Sequence, residues 1–368
     1  MPLPLAEVIA DHWPDFARRH ASRLAAAHYR AVRAVLQCRT PAKGGHVYRC
    51  VHCSKNHFAY HSCNHRSCPE CGALDQQRWC ARQEARLLPG LDYFLLTFTI
   101  PDTLRALCKQ HPAQLYDLLL RESAGALQDL AATKLEGRLG FTGVLHTWGR
   151  QMQHHPHVHL IVPAVAFHPA TRTLRFPKQE RFLIHEIPLA ARFRNRLEMA
   201  LKARHPEIHA RLSTETRAVF AEHRKWRVNC RHAGRGHGAI RYLARYVFKT
   251  ALSKGRLLGY EPDGRIRLSY QDSTTKRWGV VRLNPDTFLK RFLTHVLPKG
   301  FVRVRHFGWL SGAARKTRLL IRALLCGQLD EPTPTLPETP KPCCPDCGAP
   351  MIRIAELAPL RFKRGPPP

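Results

Sequence analysis

Two shortages in the sequence limit what the protein can be. No run of about eighteen consecutive apolar residues occurs in the 368-residue chain, so a membrane-spanning helix is not expected. Residues 1–7 have neither the basic nor the apolar segment of a secretory leader, and we expect a cytoplasmic protein. Acidic residues are also scarce, with 27 Asp and Glu against 59 Lys and Arg and a net charge of +32. This imbalance indicates a polyanionic partner, most simply nucleic acid. A generic basic protein such as a ribosomal protein is the alternative, but such proteins are seldom this long.

Cysteine, by contrast, is abundant. In a reducing compartment, thirteen cysteines argue for metal binding rather than for disulfides. Cys50 and Cys53 form one C-x-x-C pair, and Cys68 and Cys71 form another after residues 54–67. This spacing predicts one tetrahedral zinc ion held by the four thiolates.

The remaining cysteines suggest further sites. Cys38 and Cys63 are candidates for a second zinc site, with a pair of buried thiols as the alternative. Residues 343–348, Cys-Cys-Pro-Asp-Cys-Gly, hold half a zinc site at most, which would need ligands from elsewhere in the chain or from another subunit.

A histidine-rich stretch, residues 154–163, predicts a buried strand because it is apolar and β-branched from Val158 onward. Side chains alternate along a strand, so His157 and His159 point to one face and offer half of a divalent-metal site. A histidine-rich strand edge without metal is the plainer alternative. A hexacoordinate ion needs a third protein ligand, and Gln153 has the right strand parity. Two other residues share that parity: His155 and Gln151.

Tyr242 and Tyr246 lie four positions apart in a predicted helix, so both phenols would share one face. In an arbitrary protein such a pair more often belongs to the core. Combined with the histidine pair, it is the equipment of a nuclease that cuts single-stranded DNA through a phosphotyrosine. Arg245 and Lys249 on the same helix are candidates to stabilise the phosphate, with solvated surface charges as the alternative.

Other segments predict the layout of the chain. Residues 92–101 form the clearest predicted strand, and residues 104–134 predict a helix broken near His111 and Pro112. A late basic strand places Arg303 and Arg305 on one face as candidate DNA contacts. We divide the chain into a helical segment (1–36), a zinc-binding domain (37–88), a catalytic domain (89–327), a Pro-rich linker (328–345) and a basic tail with a partial zinc knuckle (346–368).

Five stretches, in the same order along the chain, resemble the IS91-like rolling-circle transposases, two-tyrosine members of the HUH endonuclease superfamily. They are residues 62–71, 97–101, 154–163, 241–246 and 295–308. Three positions depart from the family pattern: Ser67 replaces an expected His, Arg231 replaces an expected Lys, and residues 164–169 replace a glycine-rich turn. None of these departures involves the histidine or tyrosine pairs.

The resemblance implies an α+β fold, with an HUH-endonuclease core of central antiparallel sheet flanked by helices and a small N-terminal zinc-binding domain. It implies His157 and His159 as ligands of catalytic Mg²⁺ or Mn²⁺, Tyr242 and Tyr246 as nucleophiles, and structural Zn²⁺. The implied activity is nicking and rejoining of single-stranded DNA at element ends through 5′-phosphotyrosine intermediates. The protein would work near the bacterial nucleoid, away from membranes, with self-association open.

Three other functions fit parts of the pattern. A replication initiator or relaxase would use the same site, but a relaxase usually carries its tyrosine near the N-terminus. A zinc-dependent regulator would bind DNA without cutting it and would leave the tyrosine pair unexplained. A zinc hydrolase would want an Asp shortly after the second histidine, and residues 160–163 supply none.

Overall fold

The computed structural model describes residues 3–360 apart from 180, 223–225, 249–250, 273 and 329, and omits the side chains of Arg245 and Tyr246. The helices of the described part are α1 (Leu5–His20), α2 (Ala26–Leu36), α3 (Ala73–Glu84), α4 (Leu104–Gln110), α5 (Pro112–Lys134), α6 (Glu186–Arg204), α7 (Pro206–Ala210), α8 (Thr214–Ala218), α9 (His237–Phe248), α10 (Pro285–Thr294) and α11 (Arg315–Cys326).

The strands of the described part are β1 (Gly45–Cys50), β2 (Asn56–Tyr60), β3 (Tyr93–Thr99), β4 (Arg138–Leu139), β5 (Phe141–Trp148), β6 (His154–Pro163), β7 (Ala166–His168), β8 (Thr173–Arg175), β9 (Arg227–His232), β10 (Leu257–Tyr260), β11 (Ile266–Gln271), β12 (Trp278–Leu283), β13 (Val304–Phe307) and β14 (Met351–Leu357).

A five-stranded antiparallel sheet, ordered β13-β5-β6-β3-β9, forms the centre of the molecule. Its middle strand is β6, the histidine-rich strand, and nearly every residue of β6 is buried because both faces of the sheet are covered. On one face, Val158 and Leu160 belong to a core that includes Phe193 of α6. On the other, Ile161 packs in a core with Leu243 of α9. The predicted α+β class, with a central antiparallel sheet flanked by helices, is confirmed.

The helical region before the histidine-rich strand is interrupted where the sequence predicts. Helix α4 ends at Gln110, and α5 begins at Pro112. A proline is tolerated at the first position of a helix but would remove a hydrogen bond inside one, so the chain starts a new helix there. Helix α5 packs along α6 on one face of the central sheet.

The predicted boundary at residue 36 treats the N-terminal helices as a separate segment. In the structure they are not separate. Val8 and Ile9 of α1 lie in one core with Phe288 of α10 and Ile266 of the β10-β11-β12 sheet. His20 Nε2 also lies 2.8 Å from a carboxylate oxygen of Asp286. Helix α1 is therefore part of the body formed by residues from the C-terminal half.

The predicted C-terminal tail also differs from the structure. Strand β14 pairs antiparallel with β1, and the resulting sheet has the order β14-β1-β2. Residues 351–357 therefore belong to the N-terminal zinc-binding region, while residues 361–368 lie outside the described part. No helix among the described residues is both long enough and apolar enough to cross a bilayer.

Candidate metal and tyrosine site

Three buried histidines meet on the α9 face of the central sheet. His157 and His159 project from β6, and His146 projects from the neighbouring strand β5, where it is the register partner of His157. The potential ligand atoms of the three side chains all lie within 4.8 Å of one another. Each of the three residues is at most 8% exposed, so the group lies inside the protein.

Hydrogen bonds orient the ligand pair predicted from the sequence. The Nδ1–H of His157 donates to the carbonyl oxygen of His155 at 2.6 Å, which leaves the Nε2 lone pair of neutral His157 for another partner. That Nε2 atom lies 2.7 Å from His146 Nδ1. His159 Nδ1 lies 3.0 Å from the Thr97 hydroxyl on the adjacent strand β3. Each ring is thus held by a neighbouring element, as metal-binding histidines commonly are.

Burial also sets the charge of these histidines. It lowers the pKa of His159 to about 4, and it lowers the pKa values of His146 and His157 well below the ordinary range. The neighbouring imidazoles lower the pKa values of His146 and His157 further, since two cations would repel each other. At neutral pH the three rings are therefore uncharged, the form in which imidazole binds metal.

Gln153, the predicted third ligand, lies exposed just before β6, where its Oε1 accepts a hydrogen bond from the backbone N–H of Gln151 at 2.9 Å. Strand β6 begins only at His154, so the alternation along the strand does not extend to Gln153. The side chain that completes the cluster is His146, and counting back across the β5–β6 hairpin from His157 would have found it.

The predicted tyrosine helix is present as α9, which contains both positions 242 and 246. The Tyr242 ring packs edge-on against His159, with ring centroids 5.9 Å apart, and Tyr242 is 39% exposed. Its phenol therefore lies beside the histidine cluster and is open to solvent. The side chains of Arg245 and Tyr246 lie outside the described residues, as does the whole of Lys249.

The two arginines predicted to share a DNA-facing strand surface are instead engaged within the chain. Strand β13 begins after Arg303, which is buried with its guanidinium 5.4 Å from the centroid of the Trp148 ring. Arg305 forms an ion pair with Asp117 at 2.5 Å. Turned inward by these contacts, Arg303 and Arg305 do not form the predicted pair on one exposed face.

A cleft of about 740 Å³ lies between the zinc-binding region and the central sheet. Its lining includes Trp79, Arg66 and Phe301. The Arg66 guanidinium donates a hydrogen bond to the Phe301 carbonyl at 3.3 Å, and the Phe301 side chain is buried.

The cysteines group differently from the prediction. Cys68 and Cys71 do not share a cluster with Cys50 and Cys53. They lie instead beside Cys38 and Cys63, which were predicted to form a second site. The first cluster therefore consists of Cys38, Cys63, Cys68 and Cys71. Hydrogen bonding from Cys63 and Cys68 lowers the pKa of the Cys71 thiol to about 4, which favours the thiolate that binds zinc.

Cys50 and Cys53 instead meet Cys344 and Cys347, and these four residues are the second cluster. The half-site predicted at residues 343–348 therefore lies beside a second cysteine pair of the same chain. Hydrogen bonding from the backbone N–H of Cys53 lowers the pKa of the Cys50 thiol to about 6. The spacing of the two C-x-x-C pairs misled the prediction because β14, which brings the distant pair into place, is remote in sequence.

Comparison with known proteins identifies the family. A family model described as "Putative transposase" matches residues 140–318, which include the three histidines and α9. The model of the IS91 transposase zinc-binding domain matches residues 8–100, which include the first cluster. No solved structure matches the chain.

Two curated relatives agree with these matches. The chain is 33% identical to "Putative transposase y4qJ" of Sinorhizobium fredii over 352 residues, which cover 92% of this chain and 87% of the relative. It is 30% identical to the transposase for insertion sequence element IS801 of Pseudomonas savastanoi, over 75% of this chain and 68% of the relative. The chain therefore belongs to the IS91-like transposase family, as a DNA-processing enzyme with an N-terminal zinc-binding domain.

Proposed function

We propose that this transposase nicks and rejoins single-stranded DNA at the ends of its element through 5′-phosphotyrosine intermediates, with a core of the HUH type. The observation that carries the proposal is the position of Tyr242, whose exposed ring packs against His159 beside two further buried histidines. A nucleophile next to a metal-ligand cluster is the arrangement that phosphoryl transfer requires.

The three histidines fit a divalent cation. Their rings are neutral at physiological pH, buried and oriented, so they would hold Mg²⁺ or Mn²⁺ at the base of the site. When bound, the cation supplies Lewis-acid stabilisation of charge on a non-bridging phosphate oxygen. An all-nitrogen donor set suits transition-metal ions better than Mg²⁺, which prefers oxygen ligands, so Mn²⁺ is expected to support activity at lower concentration.

The tyrosine performs the covalent step. The Tyr242 oxygen loses its proton and forms a bond to the scissile phosphorus, while the bond between phosphorus and the 3′ oxygen breaks. The 3′ oxygen takes up a proton and leaves as a hydroxyl, and the 5′ phosphate stays on the tyrosine. Because one phosphodiester replaces another, the reverse attack by a 3′ hydroxyl rejoins DNA without ATP.

A second tyrosine allows a second strand transfer in the same site. Positions 242 and 246 are one helical turn apart in α9 and therefore lie on the same side of the helix. One tyrosine can hold one DNA end while the other attacks the second, as rolling-circle transposition demands. The cleft beside the zinc-binding region offers a path for the single strand.

The test uses single-stranded oligonucleotides that carry the ends of the element, labelled at the 5′ or 3′ terminus, with Mn²⁺ or Mg²⁺. The wild-type protein should form a denaturant-resistant adduct with the 3′-labelled fragment, and EDTA should abolish it. Tyr242→Phe and Tyr246→Phe should each lose one transfer, and the double variant should form no adduct. Tyr29→Phe, a matched control at an exposed tyrosine of α2, should react like wild type.

Three results would contradict the proposal. An adduct that survives the double substitution would mean that another residue is the nucleophile. An adduct on the 5′-labelled fragment would mean that the protein bonds to the 3′ phosphate. Binding of every end sequence without cleavage would favour a zinc-dependent DNA-binding protein.

A further inference from the structure

The second cysteine cluster joins the two ends of the described chain. Cys50 and Cys53 lie at the turn between β1 and β2, whereas Cys344 and Cys347 lie just before β14. The zinc-binding family model ends at residue 100, so it does not include the second pair. The four ligand atoms lie within 4.8 Å of one another.

The sulfur separations match a metal site rather than disulfides. Cys50 Sγ lies 3.5 Å from Cys347 Sγ, and Cys53 Sγ lies 3.7 Å from Cys344 Sγ. A tetrahedral zinc ion with Zn–S bonds of about 2.3 Å places its sulfurs about 3.8 Å apart, whereas a disulfide requires about 2.05 Å. All four residues are free cysteines.

Both pairs are followed by a residue with left-handed backbone geometry. The N–H groups of His52 and Cys53 each lie 3.3 Å from Cys50 Sγ, where they can donate to a thiolate. The residue after each pair, Ser54 in one and Gly348 in the other, has a positive φ, 58° and 73° respectively. This left-handed residue lets the chain turn back after each C-x-x-C pair, so the two knuckles face each other as matching halves.

Two further contacts connect the halves around the cluster. Lys55 of the first knuckle forms a 2.8 Å ion pair with Asp346 of the second. The Val51 N–H donates to the Pro350 carbonyl at 3.2 Å, which continues the pairing of β1 with β14. The site is therefore assembled from the fold, not from a chance approach of exposed thiols.

We propose that Cys50, Cys53, Cys344 and Cys347 bind one Zn²⁺ as four thiolates, in a site that clasps β14 to the zinc-binding domain. The first cluster binds a separate ion. The clasp makes the C-terminal region an integral part of a domain that is otherwise encoded near the N-terminus.

The test measures zinc per chain in the full-length protein by native mass spectrometry and elemental analysis. Cys344→Ser/Cys347→Ser should contain one zinc fewer than wild type. Cys343→Ser is the matched control, since Cys343 is adjacent and exposed but outside the cluster, and it should keep the wild-type content. Cys347→His, which retains a zinc ligand, should also keep that ion.

A second measurement does not depend on any substitution. Removal of one zinc from the wild-type protein by a mild chelator should accelerate amide hydrogen exchange of residues 351–357, while exchange in β6 stays slow. The proposal is overturned if the double serine variant keeps the wild-type zinc content, if Cys343→Ser loses an ion, or if the four cysteines are found as disulfides. These outcomes do not depend on DNA cleavage, so they are separate from the test of phosphotyrosine chemistry.

Discussion

At the scale of single residues, the site depends on imidazoles that cannot easily become charged. His146, His157 and His159 are buried together, and burial lowers all three pKa values. Uncharged rings at close range keep their lone pairs and avoid mutual repulsion. Because the three rings lie close together, we expect that the loss of one ring would weaken metal binding.

We predict that His146→Asn lowers Mn²⁺-dependent nicking by about 10²- to 10³-fold, because it removes one member of the ligand cluster. The affinity for Mn²⁺, measured by titration calorimetry, should fall in parallel. Gln153→Ala is the informative control, since Gln153 has the same strand parity as the ligands but lies in an exposed turn. Equal losses in the two variants would return Gln153 to the ligand set.

At the scale of elements, a partly buried charge network joins α5 to α6. Arg196 of α6 lies 3.0 Å from Glu122 and 3.0 Å from Asp129, both on α5. The Glu122 side chain is only 5% exposed, so its carboxylate depends on Arg196 for compensation. These helices cover the face of the sheet opposite the histidines. They pack in one core with Val158 and Leu160 of β6.

We predict that Arg196→Met destabilises the protein by about 2–3 kcal/mol, because it leaves the Glu122 carboxylate buried and uncompensated. The free energy of unfolding can be followed by urea denaturation. The control is Arg192→Met, which removes a half-exposed arginine of α6 that also contacts Asp129. It should lower the free energy of unfolding by less than about 1 kcal/mol. Similar costs for the two substitutions would mean that Glu122 is stabilised by other groups.

Local elements could be predicted from the sequence because their signals are local. The apolar β-branched run around Val158 specifies β6, and Pro112 specifies the start of α5. The position of His146 could not be read from its own segment, since it becomes a candidate only when β5 is paired with β6. The inward turns of Arg303 and Arg305 depend on tertiary partners, Trp148 and Asp117, which strand alternation cannot reveal.

At the scale of the whole molecule, the dominant property is the net charge of +32. Positive charge spread over the chain attracts DNA before any specific contact forms and releases counterions from the phosphates. Affinity for DNA should then depend strongly on salt, whereas the proposed covalent step at Tyr242 should not. Binding and cleavage are therefore separable by experiment.

We predict that the affinity for single-stranded DNA falls steeply with salt, with a slope of log K against log [salt] of about −3 to −5, as four to seven phosphate contacts would produce. Fluorescence anisotropy over a series of NaCl concentrations measures this slope. Tyr242→Phe should leave it unchanged, because the substitution removes a hydroxyl group and no basic side chain that could contact a phosphate. A slope near zero would show that the basic surface does not bind the strand.

The grouping of the cysteines could not be predicted from the sequence, because it depends on contacts between segments that are distant in sequence. The two C-x-x-C pairs near the N-terminus are neighbours in sequence, and spacing alone joins them. The structure separates them because Cys38 and Cys63 complete one cluster and the C-terminal pair completes the other. Only the pairing of β14 with β1 reveals this, and strand pairing between distant segments leaves no local signal.

That pairing has a consequence for how the protein is made. Strands β1 and β2 are synthesised early, but the third strand of their sheet, β14, is present only after synthesis has passed Leu357. Until then, the edge of β1 that pairs with β14 has no partner strand, and the cluster of Cys50 and Cys53 lacks Cys344 and Cys347. A gene copy interrupted upstream of codon 344 would encode every residue of β1 and β2 and still leave their sheet incomplete. Completion of this sheet therefore requires that translation has continued through Leu357.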